Sequence, residues 1–295
     1  MKMRLFLKFA ILNSFLVSFS QSSDIKNYIS IPEEFPSYQY VFNSLDIPLD
    51  FAYDENFYQF VQKYKKNKRK IYLKMLKNSK DIIFPTLIKG VMDSKANYIF
   101  SYVPIIESGL NIKAASRTGA LGLWQFTKRT GKYFNLMNNK YVDQRNDPVM
   151  STIMGLKYLK KLEKEYKNNR FMALMSYNAG SGYMKRHSDG IYDLSFLISS
   201  RSRVKNETKK YIQKILLMAL IGENHRFMFD PEIHYLKNSS QGNFLIRLDF
   251  SNLQTFESIS KKFKIPIKEL RFFNRQFKRK NPNFHFINIP RSYLI

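Results

Sequence analysis

The chain has 295 residues, 44% of them hydrophobic and 16% aromatic, so it can bury the cores of one substantial domain and a small one and is not a disordered protein. It contains no cysteine, which excludes disulfide bonds, thiolate metal sites, a cysteine nucleophile and a lipid-linked cysteine near the amino terminus. Its 49 Lys and Arg against 23 Asp and Glu give a net charge of +26, which favours polyanionic partners such as nucleic acid, anionic lipid or an acidic cell-wall polymer.

The placement of the basic residues and histidines argues against two kinds of binding. The lysines are spread along the whole chain, whereas a nucleic-acid module more often clusters them on one element. Compositional bias is therefore the simpler explanation, and we expect no nucleic-acid partner. The histidines show no HExxH pairing and no ligand spacing, so we expect no metal and no cofactor. They are His187, His225, His234 and His285.

Residues 1–20 have the pattern of a secretory signal peptide. Three basic residues within the first eight precede a short, mostly apolar stretch over 9–19, and Ser18 and Ser20 are small residues suited to cleavage before Gln21. We expect export to the periplasm or cell envelope, with a membrane tether if the signal stays uncleaved. No later stretch is long and apolar enough to predict an integral membrane domain.

Residues 21–50 contain several Pro and Ser and little periodicity, and they predict an extended lead-in. Helical spacing of apolar residues begins at Phe57 and continues with Phe60, Val61 and Tyr64. Two further apolar helices are predicted over 82–92 and 98–107.

The sequence Asn146-Asp147-Pro148 predicts a helix start, with Asp at the N-cap and Pro at the first helical position. Further helices are predicted over 171–177 and 207–221, with Gly222 as the stop of the last one. Residues 51–228 are thus predicted to form one mainly helical domain.

The composition changes after this domain. Residues 229–243 are polar and contain Ser and Gly, which is typical of a linker. Beyond it, FLIRLDF and FHFINIP are strand candidates that enclose two short helical patterns. Residues 244–295 therefore predict a small β-α-α-β unit.

Glu107 is the main candidate for a catalytic residue in the sequence. It ends an apolar stretch, and burial would disfavour its charged form and raise its pKa, as a general acid requires. An ordinary Glu at a helix end is the alternative. Small residues follow, and Gly119 and Gly122 allow a tight turn or a close approach to a ligand. Trp124, the only tryptophan, offers either a flat face for a sugar ring or a core aromatic, and Gln125 offers an amide to sugar substituents.

In this order the segments IIESGLN, ASRTGALGLWQF, VDQRNDPVMSTIMGLKYLKKL, MSYNAGSG and NETKKYIQKILLMALI resemble the lysozyme-like lytic transglycosylases of the membrane-bound lytic transglycosylase D type. The resemblance covers about residues 50–225. It implies a mainly α fold with a lysozyme-like α+β catalytic domain. TFESISKKFKIPIKELRFFN is similar to the helix pair of a divergent LysM-like module, which would hold the enzyme on the wall.

The resemblance implies a peptidoglycan lytic transglycosylase that cuts the β-1,4 bond between N-acetylmuramic acid and N-acetylglucosamine without adding water. One glutamate donates a proton to the leaving oxygen and then accepts one from the C6 hydroxyl of the muramic acid, which closes a 1,6-anhydro ring. Glycan strands are the expected partner, and other cell-wall or envelope proteins remain possible partners.

Carried over by motif position, Glu107 is the catalytic acid and base. Six residues are implied to bind or orient the substrate: Ser108, Ser116, Gln125, Tyr177, Asn178 and Glu207. Two of them have structural alternatives, since Tyr177 could be a buried tyrosine with a bonded hydroxyl and Glu207 a favourable charge at a helix start.

Three residues differ from those usual in the family, namely Ala96, Ser176 and Asn206. These differences concern the rigidity of turns and the starts of helices, and they do not involve the implied acid.

Two other functions stay open at this point. A lysozyme-type hydrolase would need a second carboxylate near Glu107, and the nearest downstream acid, Asp143, lies beside a helix start that suggests a structural role. A catalytically inactive wall-binding scaffold is the other, although the presence of Glu107 argues against it.

Overall fold

The computed structural model describes residues 29–79, 82–227, 243–279 and 282–294. The predicted signal peptide and nearly all of the predicted linker lie outside these residues. The mainly helical fold class is confirmed. The described α-helices and strands are, in chain order, α1 (Ile31–Glu34), α2 (Tyr38–Ser44), α3 (Glu55–Ser79), α4 (Ile83–Ser94), α5 (Tyr102–Ser108), α6 (Lys128–Tyr133), α7 (Pro148–Glu165), α8 (Arg170–Ala179), α9 (Ser181–His187), α10 (Leu194–Ile198), α11 (Asn206–Arg226), β1 (Leu245–Gln254), α12 (Phe256–Phe263), α13 (Ile267–Phe273) and β2 (Phe284–Pro290).

Two buried helices form the centre of the main core. In α8 every residue from Phe171 to Ser176 is buried, and α11 is buried without interruption from Ile215 to Asn224. Helices that are apolar on most sides must be enclosed by other elements, and α11 is accordingly packed by α3, α5 and α8. The helix that carries Glu107, α5, thus lies directly on the central helix of the domain.

The predicted N-cap at Asp147 is confirmed. Its carboxylate accepts hydrogen bonds of 3.0 Å from the backbone N–H groups of Val149 and Met150, and Pro148 is the first residue of α7. This arrangement satisfies two of the donors that a helix start leaves unpaired. Asp147 is fully buried, so the start of α7 is held inside the protein.

The prediction of an extended lead-in over 21–50 is wrong for its described part. Residues 31–34 and 38–44 are helical, and Ser30 and Glu33 form a capping box at the first of these helices. Val41 and Phe42 are fully buried in the main core. Helices this short show no readable periodicity, and they are stabilised by packing on the domain.

Gly222 does not end α11, contrary to the prediction. The helix continues to Arg226, and a Cβ at Gly222 would lie 2.3 Å from the Tyr102 hydroxyl oxygen. Glycine is needed here for close contact between two helices. The space it leaves lets Tyr102 donate a 2.8 Å hydrogen bond to the buried carboxylate of Glu223.

Residues 243–279 and 282–294 form what we call the C-terminal unit. Its strands pair antiparallel from Leu245 opposite Pro290 to Asp249 opposite Phe286, and α12 and α13 lie between them in the chain. The predicted β-α-α-β order is confirmed, whereas its LysM-like character stays a prediction. The small core of the unit contains Phe256, Ile259, Leu270, Phe284 and Ile287.

Within the described residues, no helix combines the length and apolar character needed to cross a membrane.

Candidate active site

Glu107 lies in the last turn of α5. The preceding residues Tyr102 to Ile105 are buried, while Glu107 itself is half-buried. The helix ends at Gly109, which adopts a left-handed conformation with φ of 60°. The local sequence therefore anchors one side of the helix in the core and leaves the carboxyl at the edge of the protein interior.

Burial is the main influence on the acidity of Glu107. It raises the pKa of the carboxyl from its ordinary value of 4.5 to about 7. The negative charge of Glu207 also raises this pKa, whereas Tyr211 and the positive charge of Lys214 lower it. A carboxyl with a pKa near 7 is present in both protonation states at neutral pH, so one group can serve as acid and as base.

The three residues that tune Glu107 belong to one helix. Glu207, Tyr211 and Lys214 follow one another at spacings of four and three in α11, which places them on one face. The sequence predicted Glu207 in the site but not Tyr211 or Lys214. The i, i+4 spacing of Glu207 and Tyr211 on the predicted helix was the available signal.

Tyr211 is buried, and its hydroxyl is not engaged at standard hydrogen-bond geometry with any described residue. It is nevertheless close enough to the Glu107 carboxyl to lower the pKa of that group, because a phenolic O–H stabilises the ionised carboxylate. The hydroxyl is therefore available to donate to Glu107 when the carboxyl loses its proton.

We define the cleft loop as residues 114–126, which contain two predicted site residues. Ser116 is exposed, and its hydroxyl accepts a 2.9 Å hydrogen bond from the backbone of Ala120, which closes a tight turn with Gly119 at φ of 82°. By contrast, the Ser108 hydroxyl donates to the Pro104 carbonyl in its own helix at 2.9 Å. Ser116 therefore presents its side chain to solvent, whereas the proton of Ser108 is used within α5.

The burial of Trp124 decides between its two predicted roles, a sugar-binding face and a core aromatic. Trp124 is fully buried, its indole N–H donates to the Thr152 hydroxyl at 3.1 Å, and its ring lies so close to Gly155 that a Cβ there would be 2.3 Å away. Trp124 is consequently a core residue that fixes the cleft loop to α7. The idea that it offers a face to a sugar ring is wrong.

Gln125 follows Trp124 in a left-handed conformation with φ of 48° and is half-buried. Its amide nitrogen donates to the carbonyls of Gly122 at 2.8 Å and Ala114 at 3.3 Å. Both N–H groups are thereby used to hold the loop. The side-chain oxygen is the atom that remains suited to a substrate contact, as an acceptor from a hydroxyl or acetamido N–H.

Tyr177 and Asn178 lie at the end of α8. Tyr177 is half-buried and its hydroxyl donates to the Trp124 carbonyl at 2.7 Å, so the bonded hydroxyl of the structural alternative is present. Burial raises the pKa of this phenol most, and the charge of Glu107 raises it further, which places Tyr177 near the carboxyl. Asn178 accepts from the Thr208 hydroxyl at 2.8 Å and keeps its amide N–H groups for other partners.

Glu207 is exposed, with 74% of its side chain accessible. It lies in the first turn of α11, where a negative charge is favourable. The alternative of a favourable charge at a helix start is confirmed, whereas substrate binding by Glu207 stays a prediction. Its negative charge also raises the pKa of Glu107.

Asp143 is committed elsewhere. It is buried, and its carboxylate receives hydrogen bonds from the Arg145 guanidinium at 2.9 and 2.7 Å. Its structural role, as predicted, leaves it unsuited to activate water beside Glu107. No group of three or more His, Cys, Asp or Glu side chains that could hold a metal occurs among the residues described.

These features define a helix-rich domain with a half-buried carboxyl at Glu107, whose pKa is raised by burial. Comparison with known families shows what this domain is similar to. Residues 88–195 match the transglycosylase SLT domain, and the chain is homologous to membrane-bound lytic murein transglycosylase D.

The homology is partial in length. The Escherichia coli K12 membrane-bound lytic murein transglycosylase D is 25% identical over 185 residues, covering 58% of this chain and 37% of that protein. A putative tributyltin chloride resistance protein of Alteromonas is 34% identical over 84 residues, which are 28% of this chain and 41% of that one. The lytic transglycosylase Slt structure from Pseudomonas aeruginosa overlaps 48% of this chain and 24% of its own, at 22% identity and a TM-score of 0.40. The chain thus spans well under half the length of these relatives.

Proposed function

We propose that the chain is a peptidoglycan lytic transglycosylase. It cleaves the β-1,4 bond between N-acetylmuramic acid and N-acetylglucosamine and leaves a 1,6-anhydro end. The observation that carries this proposal is the half-buried Glu107, whose pKa is raised to about 7 and whose carboxyl lies near Tyr177 and Tyr211.

In the first step protonated Glu107 gives its proton to the glycosidic oxygen, and the bond from that oxygen to C1 breaks. Positive charge develops at C1 of the muramic acid. The Tyr211 hydroxyl then donates a hydrogen bond to the Glu107 carboxylate and stabilises it. Lys214 supplies a nearby positive charge.

In the second step the Glu107 carboxylate accepts the proton of the C6 hydroxyl, and O6 forms a bond to C1. Glu107 ends protonated as it began, and no water is consumed. The attack is intramolecular, so its effective concentration is high when the sugar is held in the right conformation. A separate carboxylate to activate water is unnecessary.

The remaining predicted residues are proposed to hold the sugar. The Gln125 side-chain oxygen accepts from a hydroxyl or acetamido N–H, the Asn178 amide donates, and Ser116 contributes an exposed hydroxyl from the cleft loop. These assignments rest on the free donor and acceptor positions of these side chains. Tyr177 and Glu207 are proposed to line the same site, because both lie near the Glu107 carboxyl.

Export to the cell envelope follows from this proposal, because the substrate lies there. The relatives named as membrane-bound and soluble murein transglycosylases are consistent with it. We retain residues 1–20 as the proposed signal peptide and residues 244–295 as a proposed LysM-like module.

Purified peptidoglycan sacculi incubated with the protein test the proposal. Mass spectrometry is expected to find muropeptides one water lighter than hydrolysis products, and none with Glu107→Gln. Glu55→Gln is the control, because it removes an exposed carboxylate in α3 that belongs to none of the predicted site residues and should keep full activity. Equal activity of Glu107→Gln and wild type would exclude the proposed acid.

A further inference from the structure

Building on the proposed function, we propose that the C-terminal unit is a brace for the active site, which positions the cleft loop through Arg145 and Asp147. In this arrangement the unit takes part in setting the geometry of catalysis. A wall-binding module on a flexible tether would have no such effect on the loop.

The first contact joins residues 276–278 of the unit to residues 141–143. The backbone N–H of Asp143 donates to the Gln276 carbonyl at 2.7 Å, and the N–H of Lys278 donates to the Tyr141 carbonyl at 2.8 Å. Gln276 is fully buried. Since both bonds are between backbone groups, they fix the position of the segment that leads into Arg145.

Arg145 passes this position on to the cleft loop. Its guanidinium is held by Asp143, and its Nη1 donates to the carbonyls of Gly119 at 2.8 Å and Phe126 at 3.1 Å. Only 2% of Arg145 is exposed. A planar guanidinium with several donors can join these groups at once, which a lysine cannot do.

The backbone of Arg145 also touches the loop. A Cβ at Gly122 would lie 2.2 Å from the Arg145 carbonyl oxygen, so the backbone segments that contain these two residues are in direct contact. A shift of Arg145 therefore displaces the loop that carries Ser116 and Gln125.

The second contact reaches α7. The Asn288 amide donates to Asp147 at 2.8 Å, and the Arg247 guanidinium lies 3.6 Å from the other carboxylate oxygen. Asp147 caps α7, which in turn holds Trp124 through Thr152. Both routes from the C-terminal unit thus end at the cleft loop.

The third contact is part of the main core. The Leu245 N–H donates to the Thr86 hydroxyl at 2.9 Å, and the side chains of Leu245 and Phe273 pack with the core of the helical domain. Three separate buried contacts give the unit a fixed orientation, because rotation about any one of them would break the other two.

A brace and a tether predict different kinetics. A tether raises the local concentration of enzyme on a polymer, so its benefit disappears with a short soluble glycan at saturating concentration. A brace alters the position of the catalytic loop, so its loss lowers kcat with any substrate.

The test uses full-length Asn288→Ala, Arg145→Lys and Arg145→Met, with Asn252→Ala as the control. Asn252 is in the same unit but exposed on β1 and away from these contacts. On a soluble, uncrosslinked glycan we expect kcat to fall about tenfold to a hundredfold in Asn288→Ala and Arg145→Met, less in Arg145→Lys, and not in Asn252→Ala. The brace would be overturned if kcat on the soluble glycan were unchanged in these variants. This holds whether the variants lose activity only on sacculi or only have a lower Tm.

Hydrogen exchange supplies a readout that does not depend on activity. The backbone amides of Ala120, Gly122 and Gln125 should exchange faster in Asn288→Ala than in wild type or Asn252→Ala. Exchange that is unchanged in all three would overturn the brace. If wild type forms no anhydro products while exchange changes as expected, the proposed reaction fails and the brace stands.

Discussion

Tyr102 and Glu223 form a buried hydrogen bond of 2.8 Å that ties α5 to α11. These helices carry Glu107 and Tyr211, so the bond fixes the carboxyl of the proposed acid relative to the hydroxyl beside it. Gly222, next to Glu223, provides the space for Tyr102. The distance between the proposed acid and its tuning residues is therefore determined several residues away from the site.

Replacement of Tyr102 by Phe is expected to destabilise the protein by about 1–3 kcal/mol, because it removes a donor from a buried carboxylate. Arg226 still pairs with Glu223, which limits the loss. Urea unfolding measures the change. Tyr53→Phe, at a tyrosine that is 73% exposed, should change stability little. Equal effects of the two substitutions would contradict the structural role of the bond.

The pH dependence of kcat/KM should show an alkaline limb near pH 7, because protonated Glu107 is the acid and its pKa is about 7. Removing the negative charge in Glu207→Gln should move the limb to lower pH, and removing the positive charge in Lys214→Met should move it to higher pH. Rates on a soluble glycan measure both shifts. Shifts in the same direction, or none, would show that the limb does not report Glu107.

Glu107→Gln should make the protein more stable at neutral and higher pH. The folded-state pKa lies above the ordinary 4.5, so ionising Glu107 weakens folding as pH rises from about 4.5 to about 7. The difference between variant and wild type should reach about 3 kcal/mol above pH 7 and vanish below pH 4.5. Thermal unfolding over this pH range measures it. A constant difference at all pH values would argue that burial of the charge is not its origin.

Gly155→Ala should destabilise the fold, although Ala usually favours a helix interior. The added Cβ would lie 2.3 Å from the Trp124 ring, and the resulting overpacking should cost about 1–3 kcal/mol. Gly182→Ala is the control within α9, since its Cβ would meet only Arg186 at 3.5 Å. There we expect a gain of about 0.5–1 kcal/mol. Chemical denaturation of both variants tests the contrast.

The sequence predicted the parts of the fold that depend on local signals. The Asp147 cap, the helix predicted over 171–177 and the two C-terminal strands are confirmed because each follows from residues within one short segment. The helices over 31–44 escaped prediction since they are too short to show periodicity.

The roles of residues that depend on contacts between distant segments could not be predicted from the sequence. Gly222 has the residue type of a helix end, yet it serves the approach of Tyr102 from more than a hundred residues earlier. Trp124 has a side chain suited to sugar binding, yet Thr152 and Gly155 enclose it. Tyr211 could be placed on α11 but not beside Glu107, because the crossing of α5 and α11 is a tertiary feature.

The central claim is that the C6 hydroxyl of the substrate, and not water, attacks C1 after Glu107 donates its proton. The most direct measurement is cleavage of sacculi in oxygen-18-labelled water, followed by mass spectrometry of the new muramic acid ends. The account predicts anhydro ends that carry no label and are absent with Glu107→Gln. Reducing ends that carry the label would contradict it and would identify a hydrolase.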